Sequence, residues 1–414
     1  MEPLSFCMVT TFYPPYHFGG DGTFIHRLSN ALAQRGHRVT VVHCLDAHAT
    51  LKGVPSEATF ENHPNVTVHR LHSRAGAVSP LVTYLSGKPG LKRGALESIF
   101  ENEHFDVVHF HNISLIGGPG VLSYGDGLKL YTMHEHWLVC PMHVLWKMDR
   151  EPCVEPQCLR CSLAFHRPPQ LWRYTGLLER QLQNVDMFLA PSRFAIQAHH
   201  ERGFQHPIRQ LPLFVPKSAA EPGRADSPSE RPYFLFVGRL ERLKGLQTLI
   251  ELFREYDAAD LVVAGEGKYG DALRRQAAGL EHVHFLGSVG GDRLRGLYAD
   301  AIALLVPSVG FEVAPFVCLE AFAQGTPVIA RELGGAHETV TDSGAGYSYR
   351  TDEELLASME SLHTDPALRQ SLGERAHSAY LERWSEDAHM SAYLALIEEA
   401  RAAEARNAAA EAPA

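Results

Sequence analysis

Arg239 and Lys244 stand in the segment Gly238-Arg-Leu-Glu-Arg-Leu-Lys-Gly245, and Glu312 and Glu320 stand in SVGFEVAPFVCLEAFAQGTPVIA, Ser308 to Ala330. Arginine grips phosphate oxygens with parallel N–H donors and lysine adds a compact charge, so the first pair suits a diphosphate leaving group without a metal. The bland alternative is a solvated, charged loop. Glu312 falls in a Gly- and Pro-containing loop. Glu320 lies about two helical turns on, inside an apolar run ending at the Gly325-Thr326-Pro327 turn. A loop leading into a helix presents free N–H groups and a positive dipole end to an anion. A carboxylate inside that helix suits a hydroxyl-rich group such as a ribose. The segment reads as a site for a nucleotide diphosphate carrying a sugar.

Smaller signals lie elsewhere. Gly265-Glu266-Gly267 follows an apolar run and lets a backbone approach a planar ligand closely, although any tight turn could use such a pair. Gly19-Gly20, with Asp21-Gly22 beyond, lies between the first strand and first helix and permits close approach to a phosphate or sugar. It is not GxGxxG, and no acidic residue of the dinucleotide type follows at the expected distance, which disfavours a nicotinamide enzyme. His134, in Tyr131-Thr-Met-His-Glu-His136, ends a strand where it could hydrogen-bond a sugar hydroxyl or be satisfied by backbone. His109 and His111 share one face of another strand. These histidines suit a cleft lining better than a metal site. Cys140, Cys153, Cys158 and Cys161 crowd one segment that ends in a CxxC spacing. Structural zinc is the first expectation, with an iron–sulfur cluster or a reduced, metal-free loop as alternatives. Cys7, Cys44 and Cys318 sit in apolar runs and read as core.

The elements that must position these residues follow from periodicity. Strands are expected at Ser5–Thr11, His37–Cys44, Val66–Leu71, Val107–Phe110, Leu128–Met133 and Met187–Ala190, with a helix from Thr23 to Arg35. A second series, Tyr233–Val237, Leu261–Ala264, Val283–Leu286, Ala303–Val306 and Pro327–Ala330, follows the Pro- and Ser-rich stretch 216–232. Alternating strands and helices imply parallel sheets covered on both faces, with ligands at the carboxyl ends of the strands. The expected organisation is an α/β chain with two doubly wound, Rossmann-like domains. The first covers 1–215 and carries a cysteine-rich insertion at 140–161; a linker covers 216–232 and the second domain 233–385. A helix at 386–400 crosses back, and a flexible tail follows at 401–414.

The chain has 414 residues, 45% of them hydrophobic and 21% charged, as in a globular protein. Its net charge of −10 argues against a nucleic-acid partner. No run approaches the roughly 18 apolar residues of a spanning helix. The start, MEPLSFCMVTTFYPP, shows no basic n-region or long apolar core, so a cytoplasmic protein is expected. Arg167, Trp172, Arg173 and Tyr174 form a basic–aromatic stretch that fits a membrane's inner face, a saccharide grip or simple core packing.

FGGDGTFIHRLSNALAQRGHRVTVV, FVGRLERLKG, GEG and FEVAPFVCLEAFAQGTPVIA together resemble the retaining glycosyltransferases of family 4, of GT-B fold, some of which carry a cysteine-rich insertion. The resemblance spans nearly the whole chain and implies transfer of a sugar from a nucleotide-diphosphate sugar to a saccharide, lipid-linked or natural-product acceptor. No catalytic divalent metal is implied. By position, Arg239 and Lys244 would stabilise the leaving diphosphate, Glu312 and His134 would face the donor sugar, and Glu320 would hold the ribose. Gly19, Gly20, Gly238, Gly265, Glu266 and the Ala314-Pro315-Phe316 loop would complete the donor site. Where the family often has His-Asp this chain has His134-Glu135, and where many members have glycine after the first glutamate it has Val313. A non-catalytic nucleotide-sugar-binding or metal-dependent interaction protein on the same scaffold is the alternative. An epimerase or phosphorylase of this fold would differ in its products.

Overall fold

A computed structural model describes residues 2–51, 53, 55, 59–223 and 229–411. Part of the expected linker, 224–228, and the last three residues of the expected tail lie outside that range. The strands among the described residues are β1 Ser5–Val9, β2 Arg38–Cys44, β3 Val66–Leu71, β4 Val107–Phe110, β5 Leu128–Thr132, β6 Trp146–Lys147, β7 Glu151–Pro152, β8 Met187–Ala190, β9 Ile208–Gln210, β10 Tyr233–Val237, β11 Asp260–Ala264, β12 Val283–Gly287, β13 Leu304–Val306, β14 Val328–Arg331 and β15 Gly346–Tyr349.

They form a seven-stranded sheet in the order β3-β2-β1-β4-β5-β8-β9 and a six-stranded sheet in the order β12-β11-β10-β13-β14-β15. Pairing within both is parallel, as for β1 with β2 and β10 with β11. The central strands are continuous apolar runs because helices cover both faces: β1, SFCMV, is buried throughout. The edge strands β9 and β15 carry Ile-Arg-Gln and Gly-Tyr-Ser-Tyr, which lack that run and escape a pattern search. β6 and β7 make a separate antiparallel hairpin inside the cysteine-rich segment.

In both sheets the order reverses beside the first strand, β1 or β10, which places crevices at the carboxyl ends of those strands. The first helix begins at Gly20, not Thr23, so the Gly-Gly pair enters its first turn. The last helix runs from Glu386 to Glu411, well past the expected end at residue 400. It packs back on the first sheet: the Tyr393 hydroxyl meets His109 Nδ1 at 2.8 Å and His389 Nδ1 donates to the Pro212 carbonyl at 2.6 Å. One apolar cluster therefore runs from Phe6 and Leu130 through Tyr393 and Ile397 to Leu235 and Phe322, joining the two halves. Among the described residues no helix is long and apolar enough to cross a membrane.

Candidate functional site

A cavity of about 810 Å³ opens between the carboxyl ends of the two sheets. From the second half it is lined by Gly238, Arg239, Lys244, Glu312 and the loop Ala314–Phe316. The turn after β10 delivers Arg239 and Lys244; the loop after β13 delivers Glu312 and leads into the helix Phe316–Ala323. Lys244 Nζ lies 2.6 Å from Glu312 Oε1, and the Ser308 hydroxyl donates to the same oxygen at 2.7 Å. Burial alone would push Glu312 towards the neutral acid, but Lys244 and Ser308 outweigh it and hold the carboxyl below its ordinary range. The pair thus keeps an ammonium and a carboxylate inside the cavity. Arg239 reaches Glu241 at 2.8 Å while its side chain stays 55% exposed, so its guanidinium retains donors for a ligand.

Val313, where many family members have glycine, does not loosen this loop. Its carbonyl accepts the Ser192 hydroxyl of the first half at 2.6 Å, and the Gly335 amide donates to the Glu312 carbonyl at 2.7 Å. Phe311 stacks on Phe194 of the first half at 5.3 Å. The loop is clamped between the two halves.

The facing wall comes from the first half. Gly19, with φ +71°, and Gly20 line the cavity together with His134. Gly20 is needed for close approach: a Cβ there would stand 2.6 Å from the Phe316 ring of the opposite wall. His134 contacts His111 through Nε2 and Nδ1 at 2.9 Å. Burial, with a smaller contribution from His389, pushes His134 down to about 3, so it meets a ligand as a neutral imidazole.

Two acidic residues on this wall carry more than their sequence context suggested. Asp21, in the first turn of the helix Gly20–Gln34, accepts the Gly22 amide at 2.8 Å and the Asn112 side chain at 3.3 Å. Burial, reinforced by Glu135, raises it to about 6. Glu135 also lines the cavity and sits 2.6 Å from His143 Nδ1. The signal for Asp21 was its place directly behind two glycines at a helix start; the meeting of Asp21 with Glu135 had none.

Other expected residues stand apart. Gly265 and Glu266 are absent from the cavity wall; a Cβ on Gly265 would strike the Gly238 carbonyl, and Glu266 accepts the Ser288 amide at 3.4 Å. Glu320 also lies outside the wall, one turn behind Phe316. Its carboxylate takes the Tyr298 hydroxyl at 3.2 Å and Arg27 of the first half at 3.5 Å.

The zinc and iron–sulfur expectation for Cys140, Cys153, Cys158 and Cys161 is not sustained. Among the described residues no group of three or more His, Cys, Asp or Glu side chains is placed to hold a metal ion. All four cysteines are free thiols. Cys140, Cys153 and Cys161 pack with Met142, Leu145 and Ala198 in a small apolar cluster that touches Phe194 and Phe311. Burial, and then their mutual proximity, raises Cys140, and burial likewise raises Cys153 and Cys158, keeping them protonated as small apolar groups. The segment still serves the site, because Met142, His143 and Val144 form part of the cavity wall.

Two family models tile the chain: "Glycosyltransferase Family 4" over residues 18–219 and "Glycosyl transferases group 1" over residues 218–379. D-inositol 3-phosphate glycosyltransferase of Arthrobacter sp. is 33% identical over 395 residues, covering 86% of this chain and 85% of that one. The chain belongs to this glycosyltransferase family. An uncharacterized glycosyltransferase of Methanocaldococcus jannaschii is 35% identical over 161 residues, which is 37% of this chain and 41% of that relative. Among solved structures, the sucrose-phosphate synthase of Thermosynechococcus elongatus superimposes with a TM-score of 0.71 at 19% identity, over 97% of this chain and 100% of that one. The fold is GT-B, two Rossmann-like α/β halves across a cleft, and the chain is a glycosyltransferase that uses a nucleotide sugar.

Proposed function

We propose that the protein is a retaining hexosyltransferase working by front-face transfer from a nucleotide-diphosphate sugar to an acceptor hydroxyl. One observation carries this reading: Arg239, Lys244 and the first residues of the helix Phe316–Ala323 line the same cavity, opposite the neutral His134. Fixed cations and a helix N-terminus stabilise charge where it develops, on the leaving diphosphate.

In this scheme Arg239 and Lys244 donate to the diphosphate. The bond from the anomeric carbon to the phosphate oxygen breaks, and an oxocarbenium-like sugar forms beside Glu312. The acceptor oxygen bonds to that carbon from the same face, and its proton passes to the departing phosphate oxygen. Glu312 keeps Lys244 in place and balances positive charge at the sugar. His134, being neutral, hydrogen-bonds a sugar hydroxyl and leaves the charge balance untouched. Glu320, outside the cavity wall, takes the ribose hydroxyls where the nucleotide extends past Phe316, by exchanging its long contact to Arg27. Asp21 and Glu135 orient the acceptor from the first half.

The test is a donor panel of UDP, GDP, ADP and TDP sugars with product analysis by NMR. Ligand at about 100 times Kd should stabilise the protein by roughly 2.7 kcal/mol, so the true donor stands out in a thermal scan. Retained anomeric configuration supports the proposal. An inverted product would remove the front-face mechanism, and the absence of transfer with every donor would remove the reading as a whole.

A further inference from the structure

Among the described residues eleven large hydrophobic side chains are exposed, and eight of them fall within Val78–Leu91 and Leu159–Tyr174. The helix Val78–Ser86 is turned inside out. Its buried face carries Ser79 and Thr83, whose side-chain oxygens lie 3.2 and 2.8 Å from the ammonium of buried Lys92. Its outer face presents Val78, Leu81 and Leu85, each more than 45% exposed. A helix that buries its hydroxyls and shows its leucines is arranged for an apolar medium outside it.

The two stretches are neighbours. The Trp172 indole donates to the Tyr84 carbonyl at 2.9 Å, and Gly87 packs on the Trp172 ring. Charge distinguishes them from the rest of the chain. From His72 to Leu96 and from Gln157 to Leu178 there is no Asp or Glu, whereas Arg74, Lys88 and Arg160 are exposed there, in a protein of net charge −10; Arg93 pairs with Glu97 at the edge, at 2.7 Å. The patch also reaches the cavity: Leu81, Tyr84 and Arg167 form part of its wall.

We propose that this patch rests on an anionic lipid surface and that the acceptor is a lipid-linked sugar or headgroup delivered sideways from that surface. Apolar side chains flanked by arginine and lysine, with an acid only at the edge, match the interface of an anionic bilayer. A second copy of the chain is a poor occupant, since like charges would meet across a self-complementary contact. Leu81 and Arg167 then stand where the lipid leaves and the headgroup enters. This inference names the acceptor class for the transfer reaction above and rests on that reading.

The experiment is sedimentation of the full chain with phosphatidylcholine vesicles, with and without phosphatidylglycerol, and without nucleotide sugar. The wild type should bind the anionic vesicles and come off as salt rises from about 0.1 to about 1 M. The triple variant Val78→Asp, Leu85→Asp, Leu171→Asp should bind at least about tenfold more weakly. A circular dichroism spectrum and melting midpoint matching the wild type show that the variant folds; should it not, the surface pair Lys88→Glu, Arg160→Glu replaces it. Donor hydrolysis should be unchanged while transfer to a lipid-linked acceptor in vesicles falls. Equal binding by variant and wild type, no binding to anionic vesicles, or loss of a dimer in place of vesicle binding each overturns the proposal. Because vesicle binding is read without donor, failure of the transferase reading appears separately, as a lack of turnover.

Discussion

The two walls of the cavity differ in how their charge is kept. The second half brings Arg239 and the pair Lys244–Glu312, with the Glu312 carboxyl held below its ordinary range, from two loops that follow neighbouring strands. The first half brings Asp21, raised by burial to about 6, and His134, pushed by burial down to about 3. One wall holds a cation beside an ion pair; the other, besides Glu135 and Arg167, holds groups that burial has neutralised or brought into the working pH range. Permanent charge suits a leaving diphosphate, whose own charge is fixed. Groups of adjustable charge suit a surface that receives acceptor hydroxyls.

Removing a permanent charge should therefore have the largest effect. Lys244→Ala should lower turnover about 10²–10³-fold, by analogy with loss of an oxyanion-stabilising donor. It also leaves Glu312 without its cation, so Glu312 should titrate higher. Unchanged turnover would break the contrast between the walls. Arg239→Ala should behave similarly, with a larger share of the loss in KM because its guanidinium is more exposed.

Asp21→Asn should reshape the pH dependence. In the wild type, kcat/KM should rise through about pH 6 as Asp21 ionises, and the variant should be low and flat there. The stability effect runs the other way. The folded pKa lies above the unfolded one, so the native state binds the extra proton and stability is lost as pH rises from about 4 to about 6. At neutral pH the variant should be more stable than the wild type, by on the order of 2 kcal/mol in denaturant melts. A pH–rate profile identical in both would show that Asp21 only packs.

The buried histidines at and behind His134 provide a further test. His109, His111, His134 and His389 are all pushed down, chiefly by burial. Lowered folded values mean that the unfolded chain takes up protons first, so stability should fall as pH drops below about 6.5. Melting midpoints at pH 7 and pH 5 measure this. Replacing Tyr393 by Phe removes the hydroxyl from His109 and should cost about 1 kcal/mol, with little change in turnover.

The smallest effect concerns the seam between the halves. The Glu338 carboxylate accepts the amides of Arg193 and Phe194 at 2.9 and 2.7 Å, at the start of the helix Arg193–His200 in the other half. Glu338→Ala should cost about 1 kcal/mol and raise KM modestly, by loosening the clamp on the Glu312 loop. A change in stability with an unaltered KM would show that the seam does not set the cavity.

The sequence alone determined the alternation of apolar strands and helices, hence two parallel sheets, because burial on both faces writes continuous apolar runs such as Tyr233–Val237. It also determined the local chemistry of the Arg239–Lys244 turn and of the Glu312 loop, since cations and helix starts are written in adjacent residues. The tertiary structure decided what meets across long separations. It put Asp21 and Glu135 on one wall facing Arg239, turned Glu320 towards Arg27 and Tyr298, and packed Cys140, Cys153 and Cys161 into an apolar cluster, with Cys158 half-buried beside them, instead of a metal set. A spacing such as CxxC states which ligands are available, not where their sulfur atoms point. Burial, which sets the charge of Asp21 and His134, comes from all the neighbours at once and exists only after the chain has closed on itself.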